Sequence, residues 1–519
     1  MTAPSIPGIS PQLALQSAGL TIGALFDISV RQSPRRIALE DAAGQMTYHE
    51  LDIRSNRLAN HLLSRGVQRG DRIAILSENR REYIEILIAT AKIGVIAACQ
   101  NWRLSEGELR HCLELVTPKL IFTSPRNHDL GAKHADICPL QEFGPNYETA
   151  ISAESEIRPP DPCHPEDGVV ILYTSGTTGL PKGALISHRA EIARTMGQMI
   201  DLPVTPEDAF VAWAPLFHMV STDTVFSTLM QGGTVIVTDG FNPTELAEIV
   251  TSKQLGRLTL MPGMIEPFLS AMKVLDRPVI GVKWAGVMAD LVPPKQISEV
   301  TTLLDAPYLN SFGSTETGLA PASGGLIPVG EVPQSLDKQQ SSLCQIRLVD
   351  PDDNEVPDGE PGELVIRSPA LFSGYWNNEQ ANTKDFRGGW FHMGDVFIRN
   401  PDHTLSFVDR RKYLIKSGGE NIYPAEVERV LLSNPRVADA VVIRKPDAQW
   451  GEVPVAYIVR KDHSLSEDDL LAQCAGRIAK YKWPKEFRFV SDDELPRSTT
   501  GKIIRHELES RMLKEQSAE

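Results

Sequence analysis

The sequence is poor in several things that mark particular classes of protein. Its six cysteines (Cys99, Cys112, Cys138, Cys163, Cys344 and Cys474) are scattered, with no CxxC and no Cys/His spacing. Structural zinc and a disulfide framework are therefore not expected, and a reducing compartment fits. No apolar run approaches the ~20 residues of a membrane span, so stable membrane insertion is not expected. The opening stretch MTAPSIPGISPQLALQSAG lacks the charged start and apolar core of a signal peptide. The closing EQSAE is no peroxisomal address, and a cytoplasmic location is the expectation. Positive charge is in deficit: a net charge of -15 argues against a nucleic-acid partner. An anionic ligand must be held by local lysines, arginines and backbone amides. Fixed-period repeats and low-complexity tracts are absent as well.

What is present is an ordinary globular composition, 41% hydrophobic and 23% charged. At 519 residues the chain exceeds what one core usually supports, so at least two domains are expected. Short apolar runs alternate with amphipathic stretches. DRIAIL reads as a strand, and RREYIEILIATAKIG as a helix with Asn79 as its N-cap. GALIS reads as another strand, after which Ile192, Met196, Met199 and Ile200 share one helical face. Alternation of this kind implies an α/β fold, parallel-type sheets covered by helices. The proline- and acid-rich stretch 156–168 reads as a surface connector between two α/β lobes. After FVDRRKYLIKSGGENIYP the texture changes. Two β-branched runs, ADAVVIR and EVPVAYIV, and a helix, SEDDLLAQCAGRIAKYK, suffice for a small α+β domain. The expected division is 1–409 and 410–519.

The densest chemistry lies in YTSGTTGLPKGA, directly after the apolar VVIL. Gly176, Gly179 and Gly183 permit backbone N–H groups to converge on an anion, and Thr174, Ser175, Thr177 and Thr178 add hydroxyls. Lys182 adds a mobile charge. The arrangement is a phosphate clamp, but neither a Walker A loop nor GxGxxG.

YTSGTTGLPKG resembles the phosphate loop of the adenylate-forming superfamily, which includes acyl- and aryl-CoA synthetases. NSFGSTE (310–316), GWFHMGD (389–395), DRRKYLIKSGGENIYPAEVE (409–428) and PRSTTGK (496–502) follow in the family's order. The resemblance implies an acyl-CoA synthetase acting on a fatty or aryl acid, with ATP, Mg2+ and coenzyme A as its other reactants. It implies that Glu316 holds magnesium, that Thr315 donates to phosphate, and that Phe312 stacks beside adenine next to Gly313. Asp395 would accept the ribose hydroxyls with Arg410 nearby. Lys502 would bridge the carboxylate and the α-phosphate. The resemblance also makes the small domain a mobile lid that alternates between two poses about a hinge at Lys412. One pose brings Lys502 to the site. The other brings Lys416 to Asn421, where Gly418 and Gly419 let the pantetheine arm pass.

By family position His218, Met219, Val220, Pro262, Gly263, Ala285, Gly286, Val287 and Ser311 would wall the acid site. Small or apolar walls favour a hydrophobic carboxylic acid over an amino acid. Three departures stand out: Phe312 in place of Tyr, Met393 in place of Thr, and a stretch 328–350 that lacks the usual Pro-Gly turn. Transfer to a carrier protein or an amine is the alternative within the superfamily. A kinase-like phosphotransferase and an inactive nucleotide sensor are the readings outside it. A homodimer is compatible with the sequence.

Overall fold

The computed structural model describes residues 10, 17–174, 180–417, 420–447, 449–497 and 503–518. The backbone divides into two compact units. One runs to Gln345 and takes in Arg367–Arg387; the other comprises Ile346–Ile366 and Gly388–Glu519. This differs from the expected division at 409/410. Residues 388–409 belong with the C-terminal unit, because Trp390–Arg399 pairs antiparallel with Leu405–Arg410 and the helix Pro424–Leu432 packs on the latter strand.

The first unit is α/β and holds two large sheets. Across the seven-stranded sheet the order is Gly374–Tyr375, Lys182–Ser187, Gly168–Thr174, Ile96–Cys99, Arg72–Leu76, Leu120–Thr123 and Leu140–Glu142. The last five run parallel, whereas Lys182–Ser187 returns antiparallel to its neighbours on both sides, so the sheet is mixed. The six-stranded sheet has the order Gly281–Val282, Gln254–Arg257, Ala209–Ala212, Thr234–Val237, Ile37–Asp41 and Gly44–Thr47. Strands covered on both faces read as unbroken apolar runs, and Ile73 to Leu76 and Val169 to Leu172 are buried throughout.

Helices from the two sheets pack on each other. Tyr48–Ser64 lies against the six-stranded sheet and Arg81–Ile93 against the seven-stranded one, and the two helices contact directly. Covered in this way, Arg81–Ile93 buries every residue after Glu82. Among the described residues no helix is long and apolar enough to cross a membrane.

Two local expectations need correction, and one helix reverses the usual order of its faces. Asn79 is not the cap of Arg81–Ile93, whose N-cap is Arg80. Its side chain instead donates to the carbonyls of Ala212 and Ala214 at 2.9 and 2.8 Å and accepts from the Leu216 N–H. These bonds tie the helix start to the segment leading to His218. The stretch 156–168 does not join two lobes. It carries the chain back to Gly168–Thr174 within the same seven-stranded sheet. Finally, the apolar face of His188–Asp201 is turned outward, with Met196, Met199 and Ile200 each at least half exposed. The buried face is mostly polar: His188, Glu191, Arg194, Thr195 and Gln198, with Ala190 and Ala193 between them.

The second unit contains two sheets of its own. One includes Pro361–Arg367, Trp390–Arg399 and Leu405–Arg410; the other is built on the long hairpin Val437–Asp447 and Gly451–Arg460, with Glu486–Val490 parallel to its second strand. The helix Glu467–Cys474 is shorter than the sequence suggested. It starts with a capping box between Ser466 and Asp469 and ends before Gly476, whose φ of 73° no helix sustains.

Candidate active site

In the first unit the glycine-rich loop is the connection of a β-hairpin. Thr174 and Lys182 are cross-strand partners on either side of it. Ser175, Gly176, Thr177, Thr178 and Gly179 lie outside the described residues. The Thr174 hydroxyl is buried and has no hydrogen-bond partner among the described residues. An orphaned donor at the mouth of such a loop suits a ligand oxygen.

Lys182 reaches from this hairpin toward a second element. Its Nζ lies 3.5 Å from the Tyr375 ring centroid and 3.9 Å from Asp385 Oδ2. The Tyr375 hydroxyl donates to Glu316 Oε1 at 2.8 Å. Strand pairing of Gly374–Tyr375 with Lys182–Ser187 brings the tyrosine there. The phosphate-loop lysine and the expected magnesium carboxylate therefore meet through one aromatic side chain. Sequence reasoning missed Tyr375, although SGYW stands out as a glycine-aromatic cluster.

Glu316 sits in a tight turn between Gly313–Ser314 and Gly318–Pro321. The Ser314 N–H donates to Thr317 Oγ1 at 3.0 Å, and the Phe372 N–H donates to the Glu316 carbonyl at 2.9 Å. Gly313 is obligatory, since a Cβ there would lie 2.0 Å from the Gly318 carbonyl oxygen. Phe312 is half-buried and forms a backbone pair with Ala322.

Behind the turn lies a charged group that the motifs did not reveal. Arg194 donates from Nη2 to the Thr315 carbonyl at 2.9 Å and from Nε to the Ala370 carbonyl at 3.1 Å. Its Nη1 contacts both Asp223 oxygens at 3.2 and 3.0 Å. Burial pushes the Asp223 carboxyl up although Arg194 opposes it, and pushes the neighbouring Glu191 well above the usual carboxylate range. The outward-facing apolar side of the helix is what gives Arg194 this inward position.

Most of the expected acid-site residues follow the strands Ala209–Ala212, Gln254–Arg257 and Gly281–Val282 of the six-stranded sheet, and Ser311 follows Tyr308–Leu309 of a separate two-stranded sheet. His218 is the N-cap residue of Met219–Gln231, with its ring 4.7 Å from that of Phe217. Met219 and Val220 are half-buried. Gly263 has φ 81° and open space where a Cβ would be. Ala285 is wholly buried and bridges Leu258 and Tyr308. At Gly286 the Cβ direction is filled by the Tyr308 ring, whose hydroxyl donates to the Val287 carbonyl at 3.0 Å. Ser311 Oγ accepts from the Met288 N–H at 3.0 Å.

In the second unit Asp395 and Arg410 are cross-strand partners, and Arg410 Nε donates to Asp395 Oδ1 at 3.1 Å. Asp395 is buried and Arg410 is exposed. Lys412 lies in the short turn Arg411–Tyr413 with Nζ 4.8 Å from the Tyr413 ring, which Arg505 also faces at 4.7 Å. The preceding Asp409 is held by the Ala425 N–H at 2.7 Å, at the start of the helix Pro424–Leu432. Lys416 is exposed on Ile415–Ser417, and its N–H donates to Glu452 at 2.8 Å. Ser417 pairs with Glu420 across Gly418 and Gly419. Gly418, Gly419 and Lys502 lie outside the described residues.

The chemistry of the donors suits magnesium. Glu316 offers a half-buried carboxylate, a hard oxygen ligand, and among the described residues no larger cluster of metal-binding side chains occurs.

Known proteins resemble this chain over nearly its whole length. Residues 26–376 match the model of the AMP-binding enzyme family, and residues 426–502 match the AMP-binding enzyme C-terminal domain. A 2-succinylbenzoate–CoA ligase of Bacillus cereus is 31% identical over 92% of this chain and 95% of its own. A feruloyl-CoA synthase of an Amycolatopsis species is 33% identical over 93% and 97%. The structure of o-succinylbenzoate CoA synthetase from Bacillus subtilis with its acyl-adenylate intermediate superposes with a TM-score of 0.83 at 28% identity, covering 95% and 98%. The same synthetase has been solved with ATP and magnesium, TM-score 0.82 at 28% identity, covering 93% of this chain and 99% of that one. The chain belongs to the AMP-binding enzyme family, the adenylate-forming superfamily.

Proposed function

We infer that the protein is an ATP-dependent, AMP-forming acid–CoA ligase. The observation that carries this reading is the meeting of Lys182, Tyr375 and Glu316 beside the glycine-rich hairpin. In the first step a carboxylate oxygen of the acid attacks the α-phosphorus of ATP as the bond to pyrophosphate breaks. In the second the CoA sulfur attacks the acyl carbon, and AMP leaves with the electron pair. Both steps depend chiefly on positioning and charge neutralisation. Thr174 and Lys182 bind phosphate oxygens, and Asp395, oriented by Arg410, accepts the ribose hydroxyls. Glu316 would hold Mg2+, which supplies positive charge to the phosphates.

Further proposals follow from family position. The acid is hydrophobic, because Met219, Val220 and Val287 bring no charge to their segments, and aryl acids head the panel to be tried. Lys412 is the hinge that exchanges Lys502 for the Lys416–Asn421 hairpin between the two steps. The enzyme works in the cytoplasm. Pyrophosphate release and acyl-CoA formation, measured over fatty and aryl acids, test the activity; release of ADP would refute it. Lys502→Ala is expected to abolish adenylation while leaving thioester formation from pre-made acyl-AMP largely intact. Equal loss in both half-reactions would remove the hinge.

A further inference from the structure

The stretch 328–350, which departs from the family pattern, contains a lysine with no part in the reaction above. Lys338 is wholly buried. Its Nζ lies 2.6 Å from Asp290 Oδ2 and donates to Asn310 Oδ1. Asn310 in turn donates from Nδ2 to the carbonyls of Leu336 and Asp337, at 3.2 and 2.9 Å. The bonds close a ring around the ammonium, as burial of a charge requires.

The two partners come from different stretches. Asp290 lies in the turn Ala289–Leu291, three residues after Val287, and its side chain is 34% exposed. Asn310 precedes Ser311, whose Oγ accepts from Met288. Lys338 thus joins the two segments that wall the proposed acid site, and it does so beneath an exposed carboxylate. A carboxylate at that margin repels an anionic substrate unless a cation cancels it.

We propose that Lys338 is a specificity-determining residue for the acid: by neutralising Asp290 and tying it to Asn310, it admits a carboxylate substrate to the site. This rests on the assignment of residues 285–287 and 311 to the acid site. Burial lowers the pKa of Lys338, and the adjoining Asp290 opposes that shift.

The test uses the full chain and steady-state pyrophosphate release. Lys338→Met should raise the KM for the acid about tenfold and leave that for ATP within about twofold. The defect should be larger for an acid with two carboxylates, should shrink between low and high salt, and should be largely reversed by adding Asp290→Asn. An unchanged acid KM, or a defect indifferent to salt and to Asp290→Asn, overturns the proposal. Should Lys338→Met fail to fold, Asp290→Asn alone decides: an acid KM lowered severalfold at low salt supports the proposal, and an unchanged one overturns it. Met219→Trp serves as the control. If it leaves the acid KM untouched, the acid-site assignment itself has failed; if it raises the KM while Lys338→Met and Asp290→Asn both leave it unchanged, only the role of Lys338 has failed.

Discussion

Replacing Tyr375 by Phe removes one hydroxyl and leaves the ring in place. The lost bond is the 2.8 Å donation to Glu316 Oε1. The ring on which Lys182 rests, 3.5 Å from its Nζ, remains. A hydrogen bond to a charged group contributes about 1.5–3 kcal/mol, which is roughly 10- to 150-fold if it is realised in the transition state. Glu316 is half-buried, so water can replace the hydroxyl in the ground state. Folding stability should therefore change by less than about 1 kcal/mol. The expected result is a ten- to hundredfold drop in kcat/KM for pyrophosphate release, with a higher Mg2+ requirement and an unchanged thermal midpoint. Tyr375→Leu also deletes the aromatic face under Lys182 and should cost a further twofold or more, from about 0.5–2 kcal/mol of cation–π attraction. Activity within twofold of the parent and an unchanged Mg2+ dependence in Tyr375→Phe would refute the placement of this tyrosine in the nucleotide site.

Other outcomes follow from the same interior. Arg194→Met leaves Asp223 buried without its cation and should cost about 3–5 kcal/mol in urea unfolding, with Arg194→Met/Asp223→Leu recovering more than half; a loss under about 1 kcal/mol would contradict the buried pairing. Gly286→Ala places a Cβ 1.9–2.5 Å from three ring atoms of Tyr308 at a φ of 76°. It should destabilise by about 2–4 kcal/mol in thermal unfolding, and a midpoint equal to the parent's would show that the ring moves aside freely. His188 is buried, which lowers its pKa from 6.5 to about 4, and its Nδ1 accepts from the Ile22 N–H at 3.1 Å. The unfolded chain therefore binds a proton that the folded one does not. Its contribution is fully present above pH 6.5 and is lost as pH falls toward 4, in total about 3 kcal/mol at ~1.4 kcal/mol per pH unit. His188→Asn should flatten the decline in thermal midpoint over that window, and an equally steep decline would assign it to other groups.

What the sequence disclosed was local. The glycine-rich hairpin, the Glu316 turn and the Asp395–Arg410 pair lie in short runs whose residue types state their chemistry. Tyr375 stands 59 positions from Glu316, and Arg194 stands 121 from Thr315. Pairings at such separations leave no local trace. Asn79 looked like a cap because it precedes a helix, yet its amide has partners more than 130 residues away. Helical periodicity grouped Ile192, Met196, Met199 and Ile200 on one face of His188–Asp201, but it could not say that this apolar face is the outer one, since a cluster of polar residues ordinarily marks solvent. Lys338 was inconspicuous for the same reason: nothing in its neighbours announces that it is buried.

The inverted helix His188–Asp201 fixes the bearing of the strand that precedes it. A helix seated on oily contacts can rotate or slide a little at small cost. This one is fastened through directional bonds from Arg194 to Asp223, Thr315 and Ala370, and through His188 to Ile22. Its azimuth is thereby keyed, like a shaft in a slotted collar, and the strand Lys182–Ser187 that runs into it inherits that bearing. A single change on this face breaks a directional bond, whereas Met196, Met199 and Ile200 on the outer face are exposed.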